Sequence, residues 1–290
     1  MQEFQNRLMD NILALHADLT AGTYRHGEYH AFKIADPKPR DIHKATVRDR
    51  LLHHAVYRVL YPVFDRTWIR DSYSCRDGKG THRAMEQFRR SAYKVSRNHT
   101  RTCWVLKCDI RKFFASIDHR VLMDIVSGRI SDEKTIALIS NIVGSFCSTA
   151  VGVGLPLGNL TSQLLVNVYM NEFDQYVKRD LHMAHYIRYA DDFVLLAADR
   201  KELELLLSRM QDFLISRLRL STHPDKVYIK TIASGVDFLG WIHFPDHRVL
   251  RTSTKRRMHR NLSEESSEAR RASYRSLLSH GNAHKLAGTL

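Results

Sequence analysis

At 290 residues, 43% hydrophobic and 26% charged, the chain carries enough apolar material for a sizeable core, in one large domain or two to three small ones. A formal charge of +14 and a pI near 9.8 are too basic for a typical metabolic enzyme; they point to a polyanionic partner, with ribosomal or membrane-surface binding as the plainer alternatives. Four cysteines without a CxxC pair exclude a disulfide frame or zinc site and fit reduced thiols, and neither a signal peptide nor a membrane-spanning run is evident, so a soluble cytoplasmic protein is expected.

In chain order, Phe4, Leu8, Ile12, Leu15 and Leu19 recur at three- and four-residue spacing and predict an amphipathic packing helix over residues 1–20. Between Tyr24 and Arg50, prolines interrupt a stretch studded with cations, through Phe32-Lys33-Ile34, Asp36-Pro37-Lys38-Pro39-Arg40 and Val47-Arg48-Asp49-Arg50. The pattern suits a basic β-hairpin followed by a helix, with Lys33 as a point charge and Arg40 as a bidentate fork for phosphate oxygens. An apolar helical face from Arg50 to Tyr61 predicts a packing helix that Pro62 ends. Asp71–Ala84, DSYSCRDGKGTHRA, reads as a basic glycine-rich loop with a capping threonine before a helix through Met85 and Phe88; such a loop can hold phosphate on backbone N–H groups.

Trp104-Val105-Leu106 predict an apolar strand that ends in a single acid, Asp109, followed by the aromatic pair Phe113-Phe114. Gly-Leu-Pro-Leu-Gly at 154–158 predicts a loop, and Asn159 or Thr161 a cap for the next helix, whose apolar face includes Leu164, Leu165 and Val168. In Tyr186–Ala197, YIRYADDFVLLA, strand-forming residues flank Asp191 and Asp192, which predicts a tight hairpin with acids at its tip. Adjacent carboxylates on a half-buried hairpin are unfavourable unless a cation or a ring of donors compensates them. A pair of divalent metals would do so, with Asp109 as the natural third ligand; a plain Asp-Asp turn is the alternative. Asp199–Leu218 predicts an amphipathic covering helix. From Arg251 onward Lys255, Arg256, Arg257, Arg260, Arg270, Arg271 and Arg275 make a helical cationic end suited to a nucleic-acid backbone, with Leu262, Tyr274, Leu277 and Leu278 to pack it.

Asp109 together with the YADD hairpin resembles the palm of a reverse transcriptase, where one aspartate comes from the first palm strand and two from a YxDD hairpin. SYSCRDGKGTHRA is similar to the SYxxRxGKGxHxA segment that links fingers to palm in the group II intron-like branch. VGVGLPLGNLTSQLLVNVY resembles the fourth conserved segment, usually QGxxxSP, but Leu157 stands where Gln is usual and Gln163 where Pro is usual. LGNLTSQ looks like the variant of diversity-generating retroelements, whose enzymes copy a template RNA into complementary DNA with errors concentrated at adenines.

The resemblance covers nearly the whole chain and implies an α+β right-hand polymerase. Its parts would be an N-terminal helical extension at 1–30, fingers and palm at 31–245 and a basic helical thumb at 246–290. It implies an RNA-directed DNA polymerase with two Mg²⁺, Mn²⁺ being able to substitute, held by Asp109, Asp191 and Asp192. Lys226, at the end of LSTHPDK, would be a general acid toward the leaving diphosphate. Phe114 would lie under the incoming sugar, Leu157, Gly158 and Gln163 at the incoming nucleotide, and Lys33 and Arg40 on the triphosphate; Lys255, Arg256, Arg257 and Arg260 would track nucleic acid. VDFLGW at 236–241 would form the primer-grip turn. Implied partners are template RNA, a DNA or RNA primer, deoxynucleoside triphosphates and a small basic accessory protein, with no membrane. A group II intron-like or defence-associated lineage, and a non-catalytic RNA-binding scaffold, are the alternatives.

Overall fold

The computed structural model describes residues 4, 6–35, 39–262, 267–283, 286 and 288, so Asp36, Pro37 and Lys38 of the expected hairpin lie outside the described residues. By its internal contacts the chain divides into two compact units: Met1–Arg70 with Ile110–Asp180 and Gln211–Thr222, and Asp71–Asp109 with Leu181–Met210 and His223–Leu290.

The first unit contains α1 (Leu8–Ala21), the antiparallel hairpin β1 (His30–Ile34) and β2 (Arg40–Lys44), then α2 (Val47–Asp65), which Thr46 caps by accepting the Asp49 N–H at 3.2 Å. Pro62 does not end α2. It sits in the last turn, where its missing N–H deprives only the Arg58 carbonyl, and the helix runs on to Asp65. The apolar stripe of α1 is also less buried than its periodicity suggests: Leu15 packs with Tyr24, Leu52 and Ile142, while Leu8 and Ile12 are exposed. The helix is therefore fastened by its C-terminal half.

At the centre of this unit is α6 (Leu160–Gln175), buried around nearly its whole circumference, with α4 (His119–Ser127) and α5 (Glu133–Gly144) also in the unit. Asn159 occupies the N-cap of α6 but makes no capping bond with its side chain. The amide instead stitches the preceding loop to the hairpin, accepting from Ala45 N–H at 3.3 Å and donating to the His43 carbonyl at 2.8 Å. The His43 N–H donates to the Leu157 carbonyl at 3.0 Å. Gly158, at φ 104°, completes the seam, since a Cβ there would come 2.8 Å from Ile42 Cγ2.

The second unit is built on a four-stranded antiparallel sheet in the order β4 (Tyr186–Tyr189), β5 (Asp192–Ala197), β3 (Trp104–Asp109) and β6 (Tyr228–Thr231). One face carries Val105, Ile187, Val194 and Leu196, packed on Ala84, Phe88 and Ala92 of α3 (Thr81–Val95). Thr81 is not the cap of α3: Gly80 takes that position at φ 107°, which frees the threonine hydroxyl for another partner. A second sheet, β7 (Val236–Phe238), β8 (Trp241–His243) and β9 (Arg248–Leu250), turns at Leu239-Gly240 with positive φ at both residues, the pattern of a type I′ two-residue turn. The basic segment forms α8 (Thr252–Asn261) and α9 (Glu268–Leu278), which pack through Met258 and Leu278 on Trp241 and Leu250. Helix α7 (Arg200–Leu218) contributes residues to both units. All four cysteines are free, Cys103 and Cys108 being buried, and no helix among the described residues is long and apolar enough to cross a membrane.

Two histidines are enclosed where protonation is unfavourable: burial lowers both His53 and His243 to about 4. The unfolded chain therefore binds more protons than the fold below the ordinary histidine range, so their contribution is complete above about pH 6.5 and is lost as pH falls toward about 4. Between pH 7 and pH 5 each should cost about 2 kcal/mol of stability, a fall that denaturant titrations at the two pH values would register.

Candidate active site

The strand register brings the acids together. Asp109, the last residue of β3, pairs directly with Asp192, the first of β5, and the pairing of Tyr189 with Asp192 leaves Ala190 and Asp191 as a two-residue turn. Ala190 takes a positive φ of 55°, which lets the chain reverse immediately before two carboxylates. Because side chains alternate along a strand, Val105, Lys107 and Asp109 share a face with their partners Leu196, Val194 and Asp192. The apolar α3-packed surface thus grades into a polar end carrying the site.

Two lysines partner the acids. Lys226 Nζ lies 2.7 Å from Asp109 Oδ1, and Lys107 Nζ lies 3.2 Å from Asp192 Oδ2. The segment bearing Lys226 is tied down by its backbone, the His223 N–H donating to the Asp109 carbonyl at 2.7 Å. Burial, with Asp191 and Asp109 nearby, pushes the Asp192 carboxyl up to about 7 against the pull of Lys107. Its Oδ1 is buried without a hydrogen-bond partner.

Among the described residues no three His, Cys, Asp or Glu side chains stand close enough together, as placed, to hold a metal ion. The donor set nevertheless fits a hard divalent cation: the acids offer oxygens, and one of those oxygens is buried and unsatisfied. Asp109, Asp191 and Asp192 are the residues that would hold it.

The hairpin is braced by Arg188, a fully buried cation on β4. Its guanidinium donates to the carbonyl of Ala190 and to Ser72 Oγ, both at 3.1 Å, and its backbone bonds to Asp71 and Tyr73. The freed Thr81 hydroxyl donates to Tyr189 Oη at 3.2 Å. The glycine-rich loop therefore buttresses the YADD turn. Its Lys79 and Gly80 amides donate to Arg76 and Tyr73 carbonyls at 3.2 and 3.0 Å, so these two are not offered to a phosphate as the sequence suggested.

The residues expected at the nucleotide, Lys33, Arg40, Phe114, Leu157, Gly158 and Gln163, fall in the first unit. Lys33 and Arg40 are exposed on the hairpin, Lys33 being 3.9 Å from Asp41. Phe114 is part-buried in a 3₁₀ turn, edge-on to the buried Phe113, and its carbonyl accepts from the Leu155 N–H at 2.8 Å. That loop runs into Leu157 and Gly158, held against β2, and Gln163 follows on the first turn of α6. Phe114, Leu157, Gly158 and the cationic hairpin are so linked through one loop. In the second unit, Lys255, Arg256 and Arg260 are exposed on α8 and Arg257 is partly so, while Met258 of the same helix is buried.

Sequence reasoning missed Lys107 and Arg188. Each interrupts an otherwise apolar strand, and that interruption was the available signal.

A family model described as reverse transcriptase (RNA-dependent DNA polymerase) matches residues 35–243. The chain is 27% identical over 294 residues to Protein YkfC of Escherichia coli (strain K12), covering 87% of this chain and 74% of that one. It is 22% identical over 287 residues to the group II intron-encoded protein LtrA of Lactococcus lactis subsp. cremoris, covering 76% of this chain and 46% of that protein. Among solved structures, apo telomerase from Candida tropicalis truncated from its C-terminal domain superposes with a TM-score of 0.60 at 10% identity, over 84% of this chain and 60% of that one. Telomerase of the same organism in complex with a fragment of telomeric RNA gives 0.60 at 12% identity, over 95% and 53%. At such identities the likeness is one of fold, the mixed α+β right-hand polymerase. The chain spans less than half of LtrA and somewhat over half of the telomerase chains.

Arg188→Gln should remove donors from Ala190 and Ser72 and lower stability by about 3 kcal/mol, the scale for dismantling a buried charged network. Equilibrium denaturation of the variant checks this.

Proposed function

The chain belongs to the reverse transcriptase (RNA-dependent DNA polymerase) family, and on that premise we propose that it copies a template RNA into complementary DNA, error-prone, as part of a diversity-generating retroelement. The observation that carries the catalytic reading is the register pair Asp109–Asp192 with Asp191 in the adjoining turn. In this reading the three carboxylates hold two Mg²⁺, or Mn²⁺ in their place. The chemistry two such ions would supply there is activation of the primer 3′-hydroxyl and neutralisation of the leaving diphosphate's charge.

The remaining roles belong to the chain's own groups. Lys226 holds a proton that it can deliver to the leaving diphosphate. Lys33 and Arg40 carry the triphosphate's charge, Phe114 sets an aromatic edge against a ribose 2′-hydroxyl, and Leu157, Gly158 and Gln163 border the nucleotide. Residues 1–30 serve as an N-terminal extension, 31–245 as fingers and palm, and 246–290 as a thumb whose Lys255, Arg256, Arg257 and Arg260 follow the nucleic-acid backbone. The protein would work in the reducing cytoplasm with template RNA, a DNA or RNA primer, deoxynucleotides and a small basic accessory protein.

Support for the error-prone reading is the LGNLTSQ segment, with Leu157 and Gln163 replacing the usual residues. The likeness to LtrA favours a second reading, a group II intron-like enzyme outside the diversity-generating lineage.

Asp109→Asn or Asp191→Asn should lower primer extension by several orders of magnitude and leave RNA binding nearly intact, with Asp192→Asn also severe. Near-normal extension by either of the first two variants removes the mechanism. Leucine at 157 offers a nucleotide only apolar contact, where glutamine could hydrogen-bond the sugar or triphosphate. Sequenced products from one RNA template should show parent errors concentrated opposite adenine, and Leu157→Gln should reduce them roughly ten- to thirty-fold at comparable rate. An unchanged error spectrum in the variant contradicts this role of Leu157, and evenly distributed, infrequent parent errors favour the second reading.

A further inference from the structure

Lys107 occupies an unusual place for a lysine. It lies in the middle of β3 between Leu106 and Cys108, both fully buried, and is itself only 8% exposed. Its stem runs along the face that packs on α3, and the two-residue period of the strands aims its ammonium diagonally at Asp192, because 107 pairs with 194 and 109 with 192. Only Oδ2 of Asp192 is engaged; Oδ1 has no partner. An enclosed lysine needs a counter-charge, and this one takes it from a carboxylate of the acid cluster.

We propose that Lys107 is a tethered counter-ion that competes with metal for Asp192. Before metal binds, it offsets the repulsion among Asp109, Asp191 and Asp192, and so stabilises the acid hairpin. Once a divalent ion approaches Oδ1, the same ammonium repels it at short range in a poorly solvated setting, where little water screens the repulsion. Lys226 differs, its side chain being 42% exposed and therefore better screened. The chain thus trades metal affinity for a stable metal-free site, and it leaves the negative charge of a nucleoside triphosphate to complete metal capture. This inference rests on Asp192 being a metal ligand.

The test uses the full-length protein and Mn²⁺ alone, without nucleotide or nucleic acid, at pH 8.5 so that carboxylate protonation does not enter the comparison. Free Mn²⁺ is followed by electron paramagnetic resonance, and thermal unfolding is followed in EDTA and in Mn²⁺. Lys107→Met, which keeps the stem and removes the charge, should unfold at a lower temperature in EDTA yet bind Mn²⁺ about tenfold more tightly. Lys107→Arg should match the parent in both measurements, and Lys107→Gln replaces the methionine variant if that one does not fold. A purely packing role for Lys107 lowers the EDTA midpoint without changing affinity. A role that only orients the carboxylate weakens Mn²⁺ binding. Either result, or an unchanged EDTA midpoint, overturns the proposal. Asp192→Asn checks the premise separately: parent-like Mn²⁺ binding by that variant shows that Asp192 is not a ligand and that the reading beneath the inference fails.

Discussion

Mutual repulsion of Asp109, Asp191 and Asp192 at one end of a sheet is the constraint on which the second unit depends. Water screens it poorly because Asp192 is largely enclosed, and that burial, with the neighbouring acids, raises its carboxyl to about 7. The fold answers with covalent geometry and with cations. A two-residue turn through the left-handed Ala190 fixes the direction of both adjacent acids, the β3–β5 register places Asp109 opposite, and Arg188 holds the turn's carbonyl from below. Lys107 and Lys226 each take one carboxylate.

The glycine-rich loop and the hairpin are parts of one support. Asp71, Ser72 and Tyr73 bond to Arg188, and Thr81 bonds to Tyr189, so residues distant in sequence restrain the same turn. A similar economy operates in the first unit. Asn159, Leu157 and Gly158 fasten the loop before α6 to β2, and the same loop bonds to Phe114. The residues proposed to meet a nucleotide's sugar and phosphates are thereby attached to a helix that is buried on nearly all sides.

The acids were legible because their signal is local: two adjacent aspartates in an apolar hairpin, and one at the end of an apolar strand. Their pairing register was not, since it depends on which residues face each other across strands distant in sequence. Lys107 and Arg188 were passed over because a charge inside an apolar run carries no information about its partner until the sheet is assembled. Pro62 misled for a related reason: proline excludes a helix continuing through its own N–H, yet in a last turn only one carbonyl is deprived. Asn159 does stand at its N-cap, whereas the expected capping Thr81 is the first helical residue after the Gly80 cap; the polar atoms of both serve β2 and Tyr189 in place of the helix ends, which local capping rules cannot anticipate. The amphipathic pattern of α1 foretold its helix, while the exposure of Leu8 and Ile12 depends on how little of that helix has anything to pack on.

The central claim is that this acid cluster, once supplied with divalent metal, joins deoxynucleotides on an RNA template. The most direct measurement is extension of a labelled DNA primer annealed to RNA by the purified chain with all four deoxynucleoside triphosphates, across a Mg²⁺ titration starting from EDTA. The account predicts no product in EDTA and complementary DNA lengthening as Mg²⁺ rises. Binding of the primer–template without any extension, at every Mg²⁺ or Mn²⁺ concentration, would contradict it.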